Sequence, residues 1–123
     1  MTAESTKPLL KLKVQVLVGD AIAIGPGKAD LLAAIGSTGS IAAAGRALGL
    51  SYRRTRDMID TLNTCWREPL VCTTKGGKTG GGAMLTPVGQ EVLQRYRALD
   101  AALQATAQEH GAALLALAEP TTP

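Results

Sequence analysis

Along residues 10–18 the run LKLKVQVLV alternates apolar Leu10, Leu12, Val14 and Val16 with polar Lys11, Lys13 and Gln15. That period of two is the signal of a strand with one buried face. Gly19-Asp20 offers a turn and Ala21 to Ile24 a returning strand, so the chain is expected to open on a hairpin. The period then lengthens. After the Gly25-Pro26-Gly27 punctuation, Ala29 to Ile35 places Leu31, Leu32 and Ile35 on one helical face, and Ser37 to Ser40 breaks the pattern. Ser40 caps a second helix, Ile41 to Leu48, which Gly49 ends. Ser51 caps a third, which runs to about Trp66 with Met58, Ile59, Leu62 and Trp66 as its inward stripe. Leu70 to Thr74 and Ala83 to Thr86 read as a second hairpin around the loop from Lys75 to Gly82. Thr86-Pro87 starts a long helix, because proline suits the first helical position. Its seam is Val88, Val92, Tyr96, Leu99 and Leu103, continuing through Leu114 and Leu117 unless Gly111 interrupts it.

This order of elements predicts an α+β fold, mainly α. Residues 1–9 form a disordered tail, 10–86 a winged helix-turn-helix domain with an N-terminal hairpin, 87–118 a C-terminal dimerisation helix, and 119–123 a second tail. The 123 residues leave room for one such domain. Its core must be aliphatic, since phenylalanine is absent and Tyr52, Trp66 and Tyr96 are the only aromatics.

Charge changes the picture through its distribution. The net charge is only +3, but residues 28–97 carry ten basic against five acidic side chains, while the stretch after Arg97 is acidic. A basic middle points to a polyanionic partner. Cys65 and Cys72 lack the paired spacing of a zinc site, and His110 is the sole histidine. No metal, no cofactor and no enzymatic activity are therefore expected. No apolar run approaches the roughly 20 residues of a membrane span, so a cytoplasmic protein with reduced thiols and no membrane contact is expected.

The candidate chemistry lies at the start of the third helix. Ser51, Tyr52, Arg53, Arg54 and Arg56 precede the inward stripe, at the end that a helix pair joined by a tight turn projects toward a major groove. Ser40, capping the preceding helix, joins this set. Each arginine could bond a guanine edge bidentately or pair with phosphate, and the sequence leaves both jobs open. The bland alternative is a solvated face on which Arg53 pairs with Asp57 and Arg56 with Asp60, four residues apart. The loop KGGKTGGG places five glycines in eight residues beside Lys75 and Lys78. Lys75, Gly76, Gly77, Lys78 and Thr79 are candidates for phosphate contact or minor-groove entry. A nucleotide phosphate loop is excluded by spacing, because its first glycine would fall at Cys72.

These pieces, IGPGKADLLAAI, GSIAAAGRALGLSYRRT, REPLV and KGGKTGGGAMLTPVGQ, resemble the N-terminal DNA-binding domain of the ModE-type molybdenum-dependent transcriptional regulators, and more distantly LysR-type winged helices. The resemblance covers about Gly25 to Leu99. It implies that Ser51 to Arg56 recognise DNA, that Lys75 to Thr79 form the wing, and that the helix after Pro87 joins two subunits through Val92, Tyr96, Leu99 and Leu103. The family often has an aromatic at Arg56 and charged residues at Cys72 and Thr73. Its molybdate site lies in a C-terminal domain outside the stretch compared, so molybdate binding is not expected of these residues. The expected function is a homodimeric, sequence-specific double-stranded DNA-binding transcriptional regulator. The alternative is a winged-helix protein interaction module, or a partner-dependent co-regulator without its own DNA specificity.

Overall fold

The computed structural model describes residues 7–74 and 82–118. Its elements run β1 (Val16–Val18), β2 (Ala21–Ile24), α1 (Pro26–Thr38), α2 (Ile41–Ala47), α3 (Tyr52–Thr64), β3 (Val71–Thr74), β4 (Gly82–Leu85) and α4 (Pro87–Ala118). The architecture is mainly helical, with two separate antiparallel hairpins, β1-β2 and β3-β4.

The first hairpin is shorter than the alternation predicts. Only Val16–Val18 pairs with β2, around Gly19 at a φ of 59°, and residues 8–15 form no strand. The backbone carbonyls of this stretch are taken by α4 instead: the Tyr96 hydroxyl donates to the Val14 carbonyl at 2.8 Å and the Gln104 amide to the Leu12 carbonyl at 2.9 Å. Lys7 and Pro8 line a shallow cavity with Ala112, Leu115 and Ala116 of the same helix. Lys7 and Pro8 thus lie beside α4, while Leu9 is 83% exposed; residues 1–6 and 119–123 lie outside the described residues. Alternation could not reveal this, because Leu10 and Leu12 stay 39% exposed, and a long helix supplies polar side chains where a strand would supply backbone.

Helix α1 begins at Pro26, three residues before the expected start, since proline at the first position lacks only an N–H that the helix would not use. It runs through Ser37 and Thr38, whose hydroxyls bond back to the Ala34 carbonyl, and ends where Gly39 adopts a left-handed φ of 71°. Helix α3 stops at Thr64, so Trp66 lies beyond it, half-buried, its indole N–H donating to the Ala23 carbonyl. Helix α4 continues unbroken through Gly111, where a side chain would meet Leu10 of the N-terminal segment. At about 1.5 Å per residue, its 32 residues span about 48 Å.

The core is aliphatic, as the composition requires. Leu31, Leu32 and Ile35 of α1 meet Ile41 and Ala44 of α2, Ile59 and Leu62 of α3, and Leu70, Val71 and Leu85 of the second hairpin. Asn63 locks α3 to that hairpin: its side-chain oxygen accepts from the Leu70 and Val71 N–H groups, and its amide donates to the Val71 carbonyl.

Tyr96 closes the core against the N-terminal segment and is 4% exposed. Burial, and after it Asp100, raises its phenol pKa above the ordinary value of about 10, with Arg97 acting the other way. The unfolded phenol ionises near 10 and the folded one only at higher pH. The stability it contributes is thus complete below about pH 10 and declines as pH rises toward the folded value. Tyr96→Phe should lose about 1 kcal/mol at neutral pH through its missing hydrogen bond and show a shallower decline in urea midpoint above pH 10. A variant matching the wild type at both pH values would contradict this.

Candidate nucleic-acid interface

Two glycines set the angle between α2 and α3. Gly45 lies against Thr55, and a Cβ at 45 would collide with the Thr55 hydroxyl and sit 3.2 Å from its Cβ. Gly49 then turns the chain at a φ of 71°, and the Leu50 N–H bonds the Gly45 carbonyl at 2.8 Å. Thr55 is fully buried and satisfied by the Ser51 carbonyl at 2.7 Å. It joins Ile59 and Leu62 in the inward stripe, a place the sequence reading gave to apolar residues alone; the signal was the small Gly45 opposite.

This packing leaves the first turn of α3 outside. Ser51 caps it, accepting from the Arg54 N–H at 3.0 Å, and Ser40 caps α2, accepting from the Ala43 N–H at 3.1 Å. Each hydroxyl keeps its own proton for donation. Tyr52 is 59% exposed; Arg53 and Arg54 are exposed and Arg56 is half-buried. The two ion pairs among the described residues, Arg95 with Glu91 and Arg97 with Asp30, both involve α4. Neither Arg53 with Asp57 nor Arg56 with Asp60 forms an ion pair.

The second hairpin rises beside this turn. Its β4 strand is tied to the end of α1 by the Ala83 N–H, which donates to the Gly39 carbonyl at 2.9 Å. Thr74 and Gly82, the last pair before the loop, face each other across the strands. Tyr52, Arg56, Ser40, Thr73, Thr74 and Gly82 together line an open cleft of about 270 Å³. The strand ends at Thr74 and Gly82 therefore lie on the face that carries Tyr52 and Arg56. Lys75, Gly76, Gly77, Lys78 and Thr79 themselves lie outside the described residues.

One basic residue escaped the sequence reading. Lys28, in the first turn of α1, is half-buried near Arg54: burial, and then the Arg54 charge, lowers its pKa from the ordinary lysine value, with Cys65 acting weakly the other way. Nothing in its local sequence distinguishes it, since its neighbourhood is made by tertiary packing.

No family model matches the chain. Individual relatives do. The chain is 46% identical over 78 residues to the molybdenum-pterin-binding protein MopB of Rhodobacter capsulatus, covering 63% of this chain and 29% of that protein. It is 40% identical over 100 residues to the molybdenum transport protein ModE of Azotobacter vinelandii, covering 81% and 36%. With the DNA-binding transcriptional dual regulator ModE of Escherichia coli (strain K12) it shares 39% identity over 89 residues, covering 72% and 32%. Over this stretch the chain is similar to ModE transcriptional regulators and to MopB. It spans about a third of the length of the curated relatives it matches.

The ModE-like chain uses part of its helical seam internally. Tyr96 is buried beneath the N-terminal segment, and Val92 is half-buried against the core. Leu99 and Leu103 remain 46% and 37% exposed, and further along α4 Leu114 and Leu117 are more exposed still. The periodicity had joined all of these residues in one stripe; the core takes Val88 and Val92, and the N-terminal segment meets α4 from Tyr96 through Gln104 to Gly111. Among the described residues no helix is long and apolar enough to cross a membrane.

Proposed function

We propose that this ModE-like chain is a cytoplasmic, sequence-specific double-stranded DNA-binding transcriptional regulator of the winged helix-turn-helix type, with α3 as its recognition helix and the β3-β4 loop as its wing. The observation that carries the reading is the cleft shared by Tyr52 and Arg56 of α3 with Thr73, Thr74 and Gly82 at the base of the hairpin. A projecting basic helix start beside the base of a hairpin whose loop sequence is cationic matches the two surfaces that such proteins lay on a duplex. The exposed leucines of α4 support a homodimer in which Leu99 and Leu103 meet their counterparts, placing two recognition helices about one or more turns of DNA apart. No molybdate role is proposed for this stretch.

Selection of duplexes from fragmented genomic DNA, followed by titration of the enriched sequence at several salt concentrations, tests the reading. The expected result is an enriched motif with two related half-sites. Its log affinity should fall linearly with log salt at a slope of about −0.9 for each phosphate neutralised. A flat salt response with no enriched sequence would overturn the reading and favour a protein interaction module.

A further inference from the structure

The arginines and acids of α3 divide by the direction in which each leaves the helix, and the division separates base readers from phosphate anchors. Thr55, Ile59 and Leu62 define the buried side. Counting about 100° per residue from that stripe, Arg53 and Asp57 fall opposite it, facing directly outward. Tyr52 and Arg56 fall on the flank toward the hairpin, where the cleft with Thr73 and Thr74 lies. Arg54 and Met58 fall on the other flank, beneath the start of α1. A side chain at Gly27 would stand 3.9 Å from the Met58 methyl, and the next residue is Lys28, on which the Arg54 charge acts more than any other charge.

A helix with its side chains is about 10–12 Å across, and the major groove is about 12 Å wide. An inserted helix therefore fills the groove: its flanks meet the two sugar-phosphate backbones and its outermost line meets the bases. Resting on the DNA-binding reading above, we infer that Arg53 and Asp57 read base edges, and that Arg56 on one flank and the Lys28–Arg54 pair on the other hold the phosphates of the two strands. Charge supports the division. Asp57 is exposed and unpaired among the described residues, and a carboxylate is repelled by phosphate yet accepts readily from the cytosine amino group. Arg53 matches the O6 and N7 acceptors of guanine. Four residues along a helix advance about 6 Å, so the guanine and cytosine lie within about two base-pair steps. Lys28 then becomes a DNA contact supplied by α1, outside the helix pair.

The full chain, wild type and as Arg53→Ala, Asp57→Asn, Arg56→Ala and Lys28→Ala, should be put through selection from a random duplex pool and then salt titration. The altered side chains are exposed or half-buried, and far-UV circular dichroism with a thermal melt verifies each fold. Arg53→Ala is expected to lose its preference for one guanine, and Asp57→Asn for one cytosine, each by about 10-fold, at a single position. Arg56→Ala and Lys28→Ala should keep the wild-type motif, weaken binding alike on specific and unrelated DNA, and flatten the salt slope by about 1 each. A changed motif in Arg56→Ala or Lys28→Ala, or uniform weakening with an intact motif in Arg53→Ala and Asp57→Asn, overturns the assignment while leaving DNA binding in place. A wild-type chain that enriches no motif overturns the DNA-binding reading itself, and the assignment with it.

Discussion

Replacing Arg53, Arg54 and Arg56 together with alanine is expected to lower affinity for the selected duplex by about 100-fold or more at physiological salt. A bidentate arginine contact carries about 1–3 kcal/mol, and each phosphate contact also contributes counterion release. Three such losses at the low end of that range already exceed two orders of magnitude. The fold should persist. None of the three arginines forms an ion pair among the described residues, the helix is capped by Ser51 and not by them, and alanine is the strongest helix former. Fluorescence anisotropy reads the affinity, and far-UV circular dichroism with a melting curve reads the fold. A triple variant that binds the duplex within a few-fold of wild type would remove α3 from the interface.

Gly89→Ala should reduce stability by about 2–4 kcal/mol, lowering the melting temperature by about 10 °C or more. Glycine to alanine inside a helix ordinarily gains up to about 1 kcal/mol, so the expected sign is reversed. The reason is a collision: a Cβ at 89 meets the Leu70 carbonyl oxygen and lies 3.0 Å from its carbon. Retreat of that backbone is blocked. The Leu70 carbonyl accepts from the Thr86 N–H at 2.9 Å, and the Leu70 N–H donates to Asn63 at 2.9 Å. Shifting it breaks buried hydrogen bonds as well as packing. Gly36→Ala provides the internal control, since its Cβ would make only an ordinary contact at 3.7 Å with Leu85 and should leave stability unchanged or slightly raised. A Gly89→Ala protein that melts at or above wild type would show that the junction between α4 and the hairpin yields easily.

The two places differ in how much of each the order of residues reveals. The arginines were visible as a group because they precede the apolar stripe, and helical periodicity is local. Gly89 was unremarkable in sequence, because the object that excludes a side chain there is the backbone of Leu70, nineteen positions earlier in the chain.

The same division runs through the molecule. Caps, turns and periodicity are interactions within a few residues, so the amino-acid order alone determined the four helices, the turns at Gly19 and Gly49, the second hairpin, and the basic start of α3. Tertiary structure decided the rest. It laid the alternating segment 8–15 along α4, where side chains 82 and 92 positions distant take its carbonyls; it enclosed Tyr96 and left Leu99 and Leu103 outside; and it brought Lys28 beside Arg54. Each of these depends on which distant surface satisfies a backbone group or covers an apolar one, and that is decided only when the whole chain packs.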